Sequence, residues 1–299
     1  MRERLNRGWR IVATAICFTL FGLGGLLLRF VAVPLLWVFV RDPLTRRTHA
    51  RALIRHLFTM FVGVLCGLGI MTLEVHGAAR LQRRGALVLA NHPTLIDVVL
   101  LMALIHDADC VVKGALASNP FTRGAVVMAG FLCNSDGPGL VDEAVASVHA
   151  GSNLVIFPEG TRTAPLGEMK LQRGAANIAV RGALNITPVV IQSSLPFLTK
   201  GTPWWRVPAQ RVHIRVDVRE DILISDFPAA STHPALAARE LTRFLKDYFS
   251  KELCRASART RDPGVDRLGP RSGRHGPCRH RRAGAAVRRG AGSGLDRRA

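Results

Sequence analysis

The chain has 299 residues, enough for one sizeable catalytic domain with appendages. Nearly half of it is hydrophobic (48%), and 41 Lys and Arg against 21 Asp and Glu give a net charge of +20. That balance suits a surface meeting anionic lipid or nucleic acid, and a single Tyr with 6% aromatics supplies little for stacking bases, which argues against single-stranded nucleic acid.

The first ten residues carry Arg2, Arg4, Arg7 and Arg10, and Ile11 to Leu28 then runs for 18 residues without a charge. Arg29 interrupts, and Phe30 to Val40 resumes the apolar run. A second apolar stretch covers Leu57 to Leu73. Each approaches the roughly 17–25 residues that cross a bilayer as a helix. The first run is too long for a cleavable leader and lacks a small-residue cleavage site. Arg41, Arg46, Arg47, Arg51 and Arg55 lie between the two runs, so both flanks of the first are basic and the charge rule gives no single orientation. Two arrangements remain open: a re-entrant helical hairpin with Arg29 and Pro34 near its bend, or two full spans.

From Glu74 to Leu253 the pattern changes. Ala86–Ala90, Cys110–Lys113, Gly130–Cys133, Asn153–Phe157, Thr187–Gln192 and Val212–Val218 have the composition of strands. Leu95–Ile105, Val141–His149, Leu171–Arg181 and Pro234–Phe249 have the periodicity of helices. The alternation predicts an α/β fold with a mostly parallel sheet flanked by helices, attached to N-terminal membrane-embedded helices. Strands such as ALVLA, apolar at every position, predict burial on both sheet faces. Residues 255–299 hold 13 Arg against three Asp, with few large apolar side chains. Such a segment is expected to be disordered, either contacting anionic head groups or simply solvated. The expected division is 1–73 membrane-anchoring, 74–253 catalytic and 254–299 tail. The six cysteines form no C-x-x-C pair and are expected to make neither disulfides nor a metal site.

Two constellations carry chemistry. Asn91-His92-Pro93-Thr94-Leu95-Ile96-Asp97 follows the predicted strand 86–90, at the carboxyl end where ligands sit in open α/β sheets. A neutral imidazole there activates a hydroxyl by taking its proton, and a carboxylate five residues on can hold the other ring nitrogen. On spacing alone the pair is weak, since a His beside a strand-to-helix turn is often only a cap. Phe157-Pro158-Glu159-Gly160-Thr161-Arg162 follows the strand 153–157; Pro and Gly turn the chain, and Arg162 offers a planar fork of donors suited to phosphate. An ordinary turn with a Glu159–Arg162 ion pair is the simpler alternative for this segment by itself.

Together NHPTLID and FPEGTRT resemble the glycerolphosphate and 1-acylglycerol-3-phosphate (lysophosphatidic acid) acyltransferase family. The resemblance implies a membrane-bound enzyme that moves a fatty acyl group from acyl-CoA or acyl-carrier protein to a lysophospholipid hydroxyl. It implies His92 as base with Asp97 as its partner, and Glu159, Gly160, Thr161 and Arg162 at the acceptor site. Lys113, Pro120 and Gly130 match a further block of the family, but Asp136 stands where an Arg is expected, so Arg173 or Arg123 is left to supply that phosphate contact, or the acceptor is a different lipid. Thr187-Pro188-Val189-Val190 resembles the family's Pro-containing strand, with an architectural role. No metal or cofactor is implied beyond the acyl donor as co-substrate. The partners implied are membrane lipids and the donor, with no specific nucleic acid. The setting implied is a bacterial inner membrane, with the catalytic domain on the cytoplasmic face. NHPTLIDVVLL, QRGAANIA and LTKGTPWW are similar to a bacterial branch concerned with specialised fatty-acid or polyene lipids, in which an acyl-carrier protein is the donor.

Overall fold

The computed structural model describes residues 2–134, 137–163, 167–227 and 233–261. Asp136 and the Arg-rich stretch from 262 onward, with Cys278, lie outside these residues.

Helix α1 (Arg2–Leu27) passes through a π-helical turn at Leu28–Ala32 straight into α2 (Val33–Phe39). The hairpin alternative placed its bend near Arg29 and Pro34, but the chain stays helical through both. Pro34 falls in the first turn of α2, directly after the π turn. The chain reverses later, at Val40–Asp42. The Asp42 carboxylate accepts from the Thr45 backbone N–H (2.7 Å) and Oγ1 (2.6 Å), capping α3 (Pro43–Gly67), whose first residue is a proline. The Arg46 guanidinium lies 3.9 Å over the Trp37 ring and donates to the Val40 carbonyl, holding the reversal.

The sheet has seven strands in the order β1-β7-β6-β2-β5-β3-β4. They are β1 (Met71–His76), β2 (Leu87–Ala90), β3 (Ala108–Val112), β4 (Leu132–Cys133), β5 (Asn153–Ile156), β6 (Ile186–Ser193) and β7 (Val212–Val218). The block β6-β2-β5-β3-β4 is parallel throughout; β7 runs antiparallel to β6, and β1 runs parallel to β7. The alternation predicted the parallel block but not β1. That strand lies at the end of an apolar stretch, and its polar residues Thr72, Glu74 and His76 point away from the packed face, as on a solvent-facing edge.

Helices α4 (Asp97–Leu104), α5 (Gly114–Ser118) and α6 (Arg123–Ala129) follow β2 and β3; α7 (Leu140–His149), α8 (Gly174–Arg181) and α9 (Pro234–Arg261) follow in turn. All four residues of β2 are buried, and they alternate between two cores. Val88 and Ala90 pack with Ile96, Leu100 and Leu101 on one face. Leu87 and Leu89 pack with Ile178, Leu241 and Phe249 on the other. The apolar run ALVLA thus fits a sheet covered on both sides. Helix α9 continues to Arg261, so residues 254–261, expected in the disordered tail, extend a helix whose inner face already packs on the sheet through Leu245 and Phe249.

The N-terminal helices dock on this domain at close range. A Cβ on Gly25 would lie 1.9 Å from the Phe121 carbonyl oxygen, and one on Gly124 would lie 2.8 Å from the Arg29 Cα. Only glycine allows that approach of backbones. Buried Arg51 of α3 ties the same unit to the sheet. It donates to the Ala129 carbonyl (3.0 Å) and Ser152 Oγ (2.8 Å), and pairs with Asp107 (3.1 Å) and Asp109 (2.8 Å). The outer sides of α1 and α2 remain apolar and exposed, with Leu23, Leu27, Phe30, Trp37 and Phe39 among them. Asn6–Phe39 and Pro43–Gly67 are long and apolar enough to cross a membrane.

Candidate active site

The parallel block brings the carboxyl ends of β2, β3, β5 and β6 to one edge of the sheet. Asn91, just past β2, is fixed there by two hydrogen bonds to the Ile191 backbone of β6: Nδ2 to the carbonyl at 2.8 Å, and the Ile191 N–H to Oδ1 at 2.7 Å. The next residue is His92. Helix α4 begins only at Asp97, two residues past the expected start at Leu95.

His92 Nδ1 lies 2.8 Å from Asp97 Oδ2. The Asp97 carboxylate is fully buried, and it also accepts from the Thr94 N–H (2.7 Å) and the Thr94 Oγ1 hydroxyl (2.5 Å). Burial raises its pKa, and the hydrogen bonds from His92 and Thr94 oppose that rise. With Nδ1 engaged, the orientation of the ring is set and Nε2 is turned to the site, where no partner stands among the described residues. The Phe157 ring, at the end of β5, lies 4.4 Å from the imidazole centroid and restrains its tilt. The His92 side chain is 15% exposed, open enough to reach a substrate.

The second motif folds directly against the first. Glu159 is 4% exposed. Its Oε1 accepts from the His92 backbone N–H at 2.9 Å, and its Oε2 accepts from the Thr163 hydroxyl. The Thr163 N–H donates to the His92 carbonyl (3.2 Å), so two strand-end loops are laced together. Burial pushes the Glu159 carboxyl above its ordinary range, against the bonds from Thr163 and His92. Both oxygens thus bond within the protein: Glu159 holds the His92 loop, and no ion pair joins it to Arg162 among the described residues. Gly160 has φ +65°, the left-handed conformation that the turn demands.

Arg162 points the other way. Its Nη1 donates to the Leu198 carbonyl (2.8 Å), which also accepts from the Leu95 N–H (3.1 Å). The remaining guanidinium donors and the half-buried Thr161 flank the site. Arg173 caps α8 and is exposed; its neighbour Gln172 donates to the Pro158 carbonyl (2.7 Å), so Arg173 adjoins the 158–162 turn. Lys113 is exposed at the end of β3, two strands from β2, roughly 10 Å away at the usual strand spacing. His92, Asp97, Glu159 and the Arg162 turn therefore form one contiguous cluster, with Arg173 beside it and Lys113 two strands away. Sequence reading assigned no role to Thr94, Phe157, Thr163 or the Leu198 carbonyl. The first three lie within or beside the motifs; nothing in the sequence marks Leu198, 36 residues from Arg162.

The family model for Acyltransferase matches residues 72–192, which span both motifs and the strands that carry them. A Caenorhabditis elegans protein provisionally named 1-acyl-sn-glycerol-3-phosphate acyltransferase acl-2 is 34% identical over 135 residues, 42% of this chain and 48% of that one. The 1-acyl-sn-glycerol-3-phosphate acyltransferase of Saccharomyces cerevisiae is 28% identical over 134 residues, 42% of this chain and 44% of its own. The chain thus matches less than half the length of either relative. The crystal structure of the 1-acyl-sn-glycerophosphate (LPA) acyltransferase PlsC from Thermotoga maritima shares the fold, with a TM-score of 0.60 at 19% identity, over 84% of this chain and 98% of that one. The region that the family model matches begins within β1, the strand that periodicity alone missed.

Proposed function

We propose that this chain is a membrane-bound O-acyltransferase that moves a fatty acyl group from a thioester donor, acyl-CoA or acyl-carrier protein, to the free hydroxyl of 1-acylglycerol-3-phosphate, giving phosphatidic acid. The observation that carries the reading is the His92–Asp97 pair, held in an Acyltransferase-family domain by the buried Glu159 of the second motif.

Asp97 keeps the Nδ1 proton on His92, which leaves Nε2 as the proton acceptor. The acceptor hydroxyl donates its proton to Nε2 as its oxygen attacks the thioester carbonyl. The tetrahedral species then collapses, the carbon–sulfur bond breaks, and the imidazolium returns the proton to the departing sulfur. The imidazolium is stabilised meanwhile by Asp97. Arg162, Arg173 and Lys113 supply positive charge for the acceptor phosphate, with the Arg162 fork nearest the base.

The N-terminal helices support a membrane-bound reading of a particular kind. Arg51, Ala50 and Ile54 of α3 are buried against the sheet domain, and the end of α1 with the π turn after it meets the backbone at Phe121 and Gly124. Helices docked in this way fit a hairpin seated in one leaflet, its apolar outer side in lipid, better than two full spans.

The test is direct. Membranes carrying the wild type or His92→Ala are given labelled acyl-CoA or acyl-carrier protein, with and without lysophosphatidic acid. Acceptor-dependent labelled phosphatidic acid with the wild type alone is the expected result. Full transfer by His92→Ala would sink the mechanism, and labelling of some other lipid in place of lysophosphatidic acid would overturn the acceptor.

A further inference from the structure

The loop joining β6 to β7 has two sides of opposite character. Its inner residues Phe197, Leu198, Thr199 and Val207 are buried. Two short turns stiffen it, through the Thr202 N–H to the Thr199 carbonyl (3.2 Å) and the Arg206 N–H to the Pro203 carbonyl (3.0 Å). The second turn carries Trp204, 39% exposed, and Trp205, 57% exposed, their rings edge to face at 5.7 Å. A stiff loop with a buried base thus presents two of the chain's four tryptophans to the outside.

What covers them is indicated by their surroundings. The Trp204 ring meets Phe18 of α1 at 5.8 Å, so the pair continues the exposed apolar side of the N-terminal helices onto the catalytic domain. Lys200, Arg206 and Arg211, all exposed, lie in the same loop and give it positive charge. An indole joins an apolar body to one N–H donor and favours the head-group level of a bilayer, while the cations favour anionic phospholipid.

From this continuity we infer that the Trp204–Trp205 turn is a second, separate membrane anchor, seated among the head groups of an anionic phospholipid bilayer. The inference rests on the membrane-bound reading of α1–α3. It gives that reading a consequence for catalysis. The same loop is bonded through the Leu198 carbonyl to Arg162 and Leu95, a few residues from His92. Seating the turn in lipid holds the mouth of the site against the bilayer, so a lipid acceptor enters laterally from the membrane plane.

The full-length Trp9→Phe/Trp37→Phe variant leaves Trp204 and Trp205 as the emitting tryptophans. It is mixed with vesicles of phosphatidylcholine and phosphatidylglycerol, plain or brominated high on the acyl chains, and vesicle binding is scored by co-sedimentation. The expected result is a blue shift on binding and a loss of emission on brominated vesicles that plain ones do not cause. In the otherwise unaltered chain, Trp204→Ser/Trp205→Ser is expected to lower vesicle partitioning about tenfold. Vesicle-bound protein whose emission is neither shifted nor quenched would overturn the anchor while leaving the helix reading intact. A shift produced by acyl-carrier protein without vesicles would overturn it too, assigning the surface to that carrier. Failure to co-sediment at all would remove the membrane reading and the anchor with it. Because Trp9 Nε1 bonds the Leu68 carbonyl at 3.0 Å, a Trp9 variant that misfolds is replaced by the difference in quenching between the wild type and Trp204→Phe/Trp205→Phe.

Discussion

The backbone N–H of His92 donates to Oε1 of Glu159 at 2.9 Å across 67 residues of sequence. One motif's carboxylate thereby holds the main chain of the other motif's histidine. The Thr163 N–H, donating to the His92 carbonyl at 3.2 Å, ties the two segments a second time.

Replacing His92 by Ala removes the proton acceptor and is expected to cut acyl transfer about a thousandfold or more. Asp97→Asn keeps the shape but turns an amide toward Nδ1 or Thr94, and is expected to cost roughly a hundredfold or more. Initial rates with labelled donor check both, with circular dichroism to show that the fold survives.

Glu159 separates a positioning role from phosphate chemistry. Gln keeps an oxygen for the His92 N–H, and its amide can donate to the Thr163 hydroxyl. Glu159→Gln should therefore retain most activity, whereas Glu159→Ala strands a buried N–H at a cost of about 1–3 kcal/mol. Thermal unfolding and transfer rates, measured on both, distinguish the two. A Gln variant as inactive as the Ala variant would show that the charge itself is required.

The pH dependence follows from the raised carboxyls of Asp97 and Glu159. A raised pKa means that the folded chain holds the proton more tightly than the unfolded chain does. The associated stability is fully present below the ordinary carboxylate values and is lost as pH rises through the folded ones. Glu159→Gln carries no such loss. Its stability relative to the wild type is thus expected to increase as pH rises from about 4 toward neutrality. Unfolding midpoints of the two proteins over that range check the sign. Asp97 must be ionised to hold the imidazolium, so the acid limb of the transfer rate should fall above the usual carboxylate range.

Arg162→Lys keeps a charge but loses the planar fork, one arm of which holds the Leu198 carbonyl. Lysophosphatidic acid is expected to show a KM about tenfold higher, with a smaller change in kcat. An unchanged KM would remove Arg162 from the acceptor site.

Arg51→Met breaks a buried cluster and leaves Asp109, itself buried, without its cation. The expected loss is about 3–5 kcal/mol, because the carboxylate remains in a low-dielectric setting. Thermal unfolding measures it, and limited proteolysis near Val40–Asp42 would report release of the helices from the sheet domain.

By itself the sequence determined the local chemistry of this protein. The alternation of apolar runs and helical stretches set the parallel block, because a strand buried on both faces must be apolar at every position, as Leu87–Ala90 is. The NHPTLID and FPEGTRT segments marked two strand ends as the site, since the carboxyl ends of parallel strands converge on one edge of the sheet. Other features were decided only by tertiary structure. β1 was hidden because an edge strand needs only one apolar face. The reversal fell at Val40–Asp42 because the chain stays helical through a π turn and past Pro34, and α9 outran its apolar pattern as a helix already anchored on the sheet. Above all, the direction in which Glu159 points, and the bond from Arg162 to Leu198, depend on which loops meet in space. Residue type fixes what a carboxylate or guanidinium can bind; packing fixes whether its partner is substrate or the protein's own backbone.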